Sequence, residues 1–345
     1  MKIGLVGFQG GGKSALFQLL TGQQPDPSKV HSGQVGELTV PDERFDKLVA
    51  FHKPKKQVPT KIQLFDTPGL ARGDQKANAQ RFGVMRESHA LIHVIGVFTG
   101  ADPADEVQAF TDECILSDLA IVANRVEKLK KDLTKPRPGP EKEALQAELD
   151  ALVPIEATLN AGKAVRTLTL TPDQDKATRS FSLLSGKTIL VVLNTAESKF
   201  DPTLIEKVAA LGFKAIAAPV GLEQEIEALP EEDRTLFAEE MGLTESCKQR
   251  VARAVFEATQ QITFYTCDEK EVHAWLLHKG ETALDAAGTI HTDLAKHFIR
   301  AEIMSVDDLL RLGSEKEVRA AGLYRVEGKE YVMQDGDEIV VRANV

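Results

Sequence analysis

The chain has 345 residues, of which 42% are hydrophobic and 27% charged, a globular usage that supports two or three packed domains and excludes global disorder. Lys and Arg number 42 against 52 Asp and Glu, a formal net charge of -10, so long-range attraction to a phosphate backbone is excluded, no DNA partner is expected, and any RNA contact has to come from a local basic patch. No run approaches the roughly 18 apolar residues of a membrane span and no leader precedes the first strand, which reads as a cytosolic protein with no membrane partner.

In chain order, Lys2 to Val6 is a short apolar run of buried-strand length, followed by a glycine-dense loop and a helical pattern that opens at Ser14. Further buried strands are predicted at Lys61–Phe65, Leu91–Val97, Thr188–Leu193 and Ala215–Ala218, with helical patterns between most of them. Such alternation predicts a mostly parallel sheet covered by helices on both faces. Between 105 and 184 the alternation stops. Two long helical patterns, Asp105–Leu133 and Glu141–Ala161, flank Thr134-Lys-Pro-Arg-Pro-Gly-Pro140, whose prolines end one helix before the next begins and predict a projecting helical hairpin. Helical segments follow Pro230. From Thr263 the texture becomes short strands and turns, closing with Asp335-Gly336 and a strand over Glu338–Val345.

Three short elements carry chemistry. Gly7-Phe-Gln-Gly-Gly-Gly-Lys13-Ser14 matches GxxxxGK[ST] between a strand and a helix, the context in which bare backbone amides wrap a phosphate and the helix N-terminus adds positive potential. Gly10, Gly11 and Gly12 supply the unobstructed backbone, the amides through Ala15 complete the cradle, Lys13 reaches the outer phosphates, and Ser14 places a hydroxyl on Mg2+. Ile62-Gln-Leu-Phe-Asp66-Thr-Pro-Gly69 is a strand ending in Asp-x-x-Gly; its carboxylate reaches the ligand-binding edge of a parallel sheet, where Asp66 faces the metal and Gly69 offers an amide to the terminal phosphate. By itself DTPG also suits a plain turn. The third element, Ile189-Leu-Val-Val-Leu-Asn194-Thr-Ala-Glu197, ends a buried strand with groups that can meet a nucleobase edge. Asn-Lys-x-Asp here would select guanine; Thr195 and the longer Glu197 replace the Lys and Asp, so weak guanine selectivity is expected. The same residues also suit a capped helix start.

These elements in this order, with the helical arm between the second and third, resemble the YchF or Obg-like ATPase family. Lys270-Glu-Val-His-Ala-Trp275, Ala286-Ala-Gly288, Ile290-His-Thr-Asp293, Phe298-Ile-Arg-Ala-Glu302 and Gln334-Asp-Gly-Asp337 look like its TGS domain. The resemblance spans essentially the whole chain. It implies an α/β architecture: a Ras-like P-loop NTPase domain over 1–104 and 185–262, an inserted helical arm over 105–184, and a β-grasp TGS domain over 263–345. It further implies a nucleotide-dependent switch that hydrolyses ATP in preference to GTP and associates with the ribosome or ribosomal RNA through arm and TGS domain.

Three departures qualify the expectation. Leu70 follows Gly69 where Ras-like enzymes carry a water-orienting Gln, so intrinsic hydrolysis is expected to be slow; the family shares this substitution, and the group orienting the water falls to a bound partner or the substrate's own phosphate. Gly10 stands where the family usually has an Asn linked in related enzymes to potassium activation, so no potassium dependence is expected. The segment Gln23–Gly33 offers Ser28 and Ser32 but no Thr as a first-switch metal ligand. Two other readings compete: a nucleotide-gated scaffold that does not hydrolyse, motivated by these gaps, and a P-loop small-molecule kinase, which the third element and the C-terminal unit oppose. In the arm, Arg125, Lys128, Lys130, Lys131, Lys135 and Arg137 form a basic tip suited to RNA phosphate or to simple solvation. From Thr263 onward ten Lys and Arg face sixteen Asp and Glu, so contacts there must be shape-specific or with protein. Cys114, Cys247 and Cys267 lie far apart with no CxxC pair, giving no thiolate zinc signature and marking them as bystanders.

Overall fold

The computed structural model describes residues 1–29 and 32–344. Val30 and His31, inside the segment read as the first switch, and Val345, where the closing strand is expected to end, lie outside the described residues. The chain forms two compact units, one from Met1–Glu37 and Gln63–Cys247, the other from Leu38–Ile62 and Lys248 onward.

The first unit carries a six-stranded sheet. Its strands are β1 (Lys2–Val6), β2 (Gln34–Thr39), β4 (Lys61–Asp66), β5 (Ala90–Gly96), β6 (Thr188–Asn194) and β7 (Lys214–Ala218), with β3 (Lys56–Val58) belonging elsewhere; the order is β2-β4-β1-β5-β6-β7. Pairings β1–β4, β1–β5, β5–β6 and β6–β7 are all parallel. All seven residues of β5 are buried, as are six of seven in β6, the double-sided burial that makes parallel strands read as continuous apolar runs. Helix α1 (Lys13–Thr21) follows β1 directly. On one face, Val6, Phe8, Leu70, Leu91, Ile95, Val191 and Leu193 pack with Phe82, Met85, Phe110 and Val208 into one apolar core.

Helices α2 (Glu43–His52) and α3 (Gln75–Arg86) precede the arm, formed by α4 (Pro103–Leu133) and α5 (Gly139–Asn160). Asp102 caps α4 by accepting from Ala104 N at 2.9 Å, with Pro103 at the first turn, where a missing N–H costs nothing. The arm has its own core of Ile115, Val122, Val126, Leu129, Leu149, Leu152, Ile155 and Leu159. At its base the fully buried Asp118 accepts from Leu184 N, Ser185 N and Ser185 Oγ at 3.0, 2.8 and 2.7 Å and pairs with Arg86 at 2.7 Å. Four donors satisfy a carboxylate whose desolvation would otherwise be prohibitive.

The second unit holds the order β11-β10-β12-β8-β9-β3, from β8 (Gln261–Cys267), β9 (Glu271–His278), β10 (Phe298–Ser305), β11 (Arg325–Glu327) and β12 (Asp337–Ala343). The β8–β9 hairpin is antiparallel, a helix over Ala283–Ile290 follows it, and β12 returns to lie parallel to β8. This is a β-grasp arrangement. Its sixth strand is supplied from far upstream: β3 pairs in parallel with β9, and Phe45 and Leu48 of α2 pack with Tyr265, Val272, Met304 and Leu309. The sequence places 38–62 with the N-terminal domain; the structure puts it in the second unit, because the apolar face of α2 finds its core on β8, β9 and β10. Asp42, which caps α2 from Arg44 N and Phe45 N, also accepts from the Tyr265 hydroxyl, and Arg44 pairs with Asp335 at 2.7 Å. Among the described residues no helix is long and apolar enough to cross a membrane.

Candidate nucleotide-binding site

The loop between β1 and α1 is held open by glycine backbone. Gly7, Gly10 and Gly12 adopt φ of 134°, 85° and 91°, a region that residues with a Cβ rarely enter. At Gly11 a Cβ would stand 2.7 Å from Val94 O, and at Gly12 2.1 Å from Asn194 Nδ2. Gly12 is the N-cap of α1 and offers no capping side chain, and the first turn holds no acidic residue. The first intrahelical donor is Leu16 N, to Gly12 O at 2.9 Å. The amides of Lys13, Ser14 and Ala15 therefore have no partner within the helix and point their partial positive charge outward, as anion binding requires.

Lys13 is 7% exposed and its Nζ donates to Phe8 O at 2.8 Å. Burial lowers its pKa to about 8, with Asp66 acting in the opposite direction. Ser14 Oγ donates to Asp66 Oδ2 at 2.7 Å, so the end of β4 meets the start of α1. Asp66 Oδ1 is buried with no hydrogen-bond partner, and burial raises this carboxyl's pKa against the pull of Ser14 and Lys13. An orphaned carboxylate oxygen beside a hydroxyl and unsatisfied amides fits a hard divalent cation: Ser14 and Asp66 would hold Mg2+.

The segment after Asp66 is tied to the phosphate loop by backbone. Leu70 N donates to Gly7 O at 3.0 Å and Gln9 N to Leu70 O at 3.2 Å. A Cβ at Gly69 would lie 2.9 Å from Lys13 Nζ, so only glycine brings this amide so close to the lysine. The Leu70 side chain is 1% exposed within the core under the sheet, committed to packing and unable to orient a water molecule.

At the exit of β6 the third element meets the phosphate loop. Asn194 is buried, donates through Nδ2 to Gly11 O at 3.3 Å and accepts at Oδ1 from Val220 N at 3.4 Å; it is a strut between the phosphate loop and the segment after β7. Glu197 is exposed, and its carbonyl accepts from Thr195 Oγ1 at 2.7 Å. No helix starts here: the next begins at Thr203, because the Thr195 turn uses local hydrogen bonds that compete with helix. In the first-switch segment, Ser28 N and Oγ both bond Asp26 Oδ1 at 2.9 and 2.7 Å, a local turn that occupies the hydroxyl.

Two residues at the site escaped sequence reasoning. Asn78 is fully buried and brackets Ala71, accepting from its N at 3.0 Å and donating to its O at 2.8 Å, which fixes the chain just beyond Leu70. His93, 1% exposed, lies beneath Gly7 and against the Phe110 ring at 4.4 Å with neither ring nitrogen partnered. Burial, then the Lys13 charge, lowers its pKa to about 3, so it stays neutral. A polar residue inside the apolar β5 run is the signal that marks it.

Comparison with known proteins bears on this geometry. The family of 50S ribosome-binding GTPases matches residues 2–125, and that of the YchF-type GTPase C-terminal domain, described as a protein of unknown function, matches residues 261–344. The chain is 33% identical over 366 aligned residues to the ribosome-binding ATPase YchF of Bacillus subtilis, covering 99% of each protein. It is 30% identical to Obg-like ATPase 1 of Oryza sativa subsp. japonica, over 100% of this chain and 92% of that one. The solved structure of the Schizosaccharomyces pombe YchF GTPase superposes with a TM-score of 0.82 at 27% identity, covering 99% of this chain and 97% of that one. Full-length similarity at this level, with a glycine cradle, Lys13 and the Ser14–Asp66 contact in place, makes the chain a member of the YchF family of P-loop NTPases.

Proposed function

We propose that this protein is a Mg2+-dependent ATPase whose nucleotide state governs association with the ribosome. The observation that carries the reading is the 2.7 Å contact of Ser14 Oγ with Asp66, whose second oxygen is buried and unpartnered, beside helix amides with no acidic competitor. Bound there, Mg2+ would neutralise phosphate charge. The chain's own part is to cradle phosphates on the amides from Gly10 to Ala15, to place the Lys13 ammonium on the outer phosphates, and to present the Gly69 amide to the terminal one. Asn194 holds the cradle in register. Leu70, locked in the core, leaves the attacking water unoriented, so turnover by the protein alone is slow. The exposed Glu197 and the absence of Lys and Asp at 195 and 197 support ATP over GTP.

The test is multiple-turnover phosphate release with Mg2+ and either nucleotide. Wild type is expected to turn over ATP, and Lys13→Ala to lose about 100- to 1,000-fold, the scale for removing one preorganised charge-stabilising donor. Equal release by Lys13→Ala, or none by folded wild type, refutes hydrolysis at this site; strong GTP preference in wild type refutes the base reading, and Glu197→Asp is expected to shift preference toward GTP.

For the ribosome, the names of the relatives supply the partner and the arm supplies a surface. Most of its basic tip is already paired: Arg125 with Glu148 through two bonds of 2.7 and 2.6 Å, Lys131 with Glu127 at 2.6 Å, Lys135 with Asp132 at 2.8 Å, and Arg137 with Glu141 and Asp132. Exposed pairs such as those of Lys131 and Lys135 contribute only about 0–1 kcal/mol and can be exchanged for phosphate. Lys128 and Lys130 are exposed and form no ion pair among the described residues. Their reversal to Glu is expected to weaken ribosome pelleting and its salt dependence; unchanged pelleting removes the arm from the contact.

A further inference from the structure

In the second unit three residues from distant parts of the chain converge. His52 closes α2, Cys267 closes β8 and Glu338 is the second residue of β12. Their imidazole nitrogen, sulfur and carboxylate oxygen all lie within 4.8 Å of one another. Glu338 is 3% exposed, its Oε2 has no hydrogen-bond partner, and neither has the buried Nε2 of His52. The Cys267 thiol donates a hydrogen bond to Glu338, and burial, then the Glu315 charge, raises this carboxyl's pKa to about 8. A buried carboxyl without a cation stays neutral, and its open oxygen beside a thiol and an unpartnered imidazole nitrogen is a place where a cation can replace the protons. The group opens onto a cavity of about 100 Å3 lined also by Met304, Glu302 and Tyr324, ample for an ion and a water molecule.

We propose that His52, Cys267 and Glu338 bind a borderline divalent cation, Zn2+ first among them, with the fourth coordination position open to the cavity. One thiolate, one imidazole and one carboxylate form a mixed S/N/O set that Zn2+ accepts and that Mg2+ or Ca2+, which demand oxygen, do not. The charges balance: thiolate and carboxylate neutralise the dication, and the thiol and carboxyl protons leave to solvent. Tetrahedral Zn2+ holds such ligand atoms roughly 3.5 Å apart, so closure needs side-chain shifts on the order of 1 Å. The C-terminus of α2 adds favourable potential, since its last carbonyls carry partial negative charge. Within this unit the ion would staple the 38–62 segment to β8 and β12. Sequence spacing gives no zinc signature because each ligand arrives alone, separated by at least seventy residues from the next; Cys267 is therefore no bystander.

The test uses the full chain, stripped with chelator under reducing conditions and titrated with Co2+ without nucleotide. One equivalent is expected to give thiolate-to-cobalt charge-transfer absorption that Zn2+ bleaches. The phosphate-loop site holds no thiolate, and Cys114 and Cys247 are 0% and 1% exposed. Cys267→Ser is expected to abolish the band, and His52→Gln and Glu338→Gln to weaken Co2+ binding at least tenfold. Zn2+ is expected to raise the unfolding midpoint of wild type and not of Glu338→Gln, whose neutral amide has nearly the shape of the neutral carboxyl it replaces and keeps the metal-free fold. No band in folded wild type with excess Co2+, or a band that survives Cys267→Ser, overturns the proposal; where Cys267→Ser does not fold, an equal Zn2+ shift in wild type and Glu338→Gln overturns it.

Discussion

Each of the two units rests on a six-stranded sheet, yet their polar groups come together by opposite routes. In the first, Lys13, Ser14, Asp66 and Gly69 sit at the ends of adjacent parallel strands, each delivered by a short contiguous motif. In the second, the ties are long-range: Tyr265 to Asp42 across 223 positions and Arg44 to Asp335 across 291. A parallel sheet collects strand ends on one edge, so local motifs suffice to build a site there. A mixed sheet that recruits β3 from the middle of the other unit's sequence has to be secured by pairs no local pattern announces.

Three substitutions probe this contrast. Asp118→Ala is expected to have the largest effect, destabilising the first unit by about 3–5 kcal/mol, the cost of leaving Arg86 and two amides beside an emptied buried site. Denaturant unfolding measures it, and a loss below about 1 kcal/mol would mean that the apolar cluster alone anchors the arm. Tyr265→Phe should cost about 1.5–3 kcal/mol, the range for a hydrogen bond to a charged group. Faster amide exchange is expected within 38–62; exchange indistinguishable from wild type would show that α2 and β3 are held by packing without Asp42.

The smallest effect concerns Glu302, whose carboxyl is held down at about 2 by hydrogen bonds from Arg342 at 2.8 Å and Tyr324 at 2.8 Å. Its folded pKa lies below the unfolded one, so its stabilisation is present above about pH 4.5 and lost as pH falls toward 2. Glu302→Gln should flatten that part of the stability profile and leave the shape above pH 5 unchanged. An acid limb as steep as in wild type would mean that other carboxylates set it.

Strands β5 and β6 were legible because burial on both faces writes continuous apolar runs: Ala90–Gly96 and Thr188–Asn194 stand within a residue of the expected bounds. The hairpin arm was legible from its proline break, with a turn over 134–138 between α4 and α5. Asn194 and Glu197 were legible as a strand exit, but the tie of Asn194 to the Gly11 carbonyl was not. Whether an amide reaches the Gly11 carbonyl depends on how near the loop passes, which the pattern of a single strand does not encode. The same holds for Asn78, whose partner Ala71 is set by the packing of α3.

What the sequence determined alone is the glycine loop, since GxxxxGK[ST] between strand and helix fixes its own backbone geometry within eight residues through glycine torsions and a helix terminus. What the tertiary structure decided is where 38–62 belongs and that His52, Cys267 and Glu338 meet. The pairing of β3 with β9 and the seating of α2 are long-range contacts, chosen by which apolar faces bury each other best once the chain has collapsed.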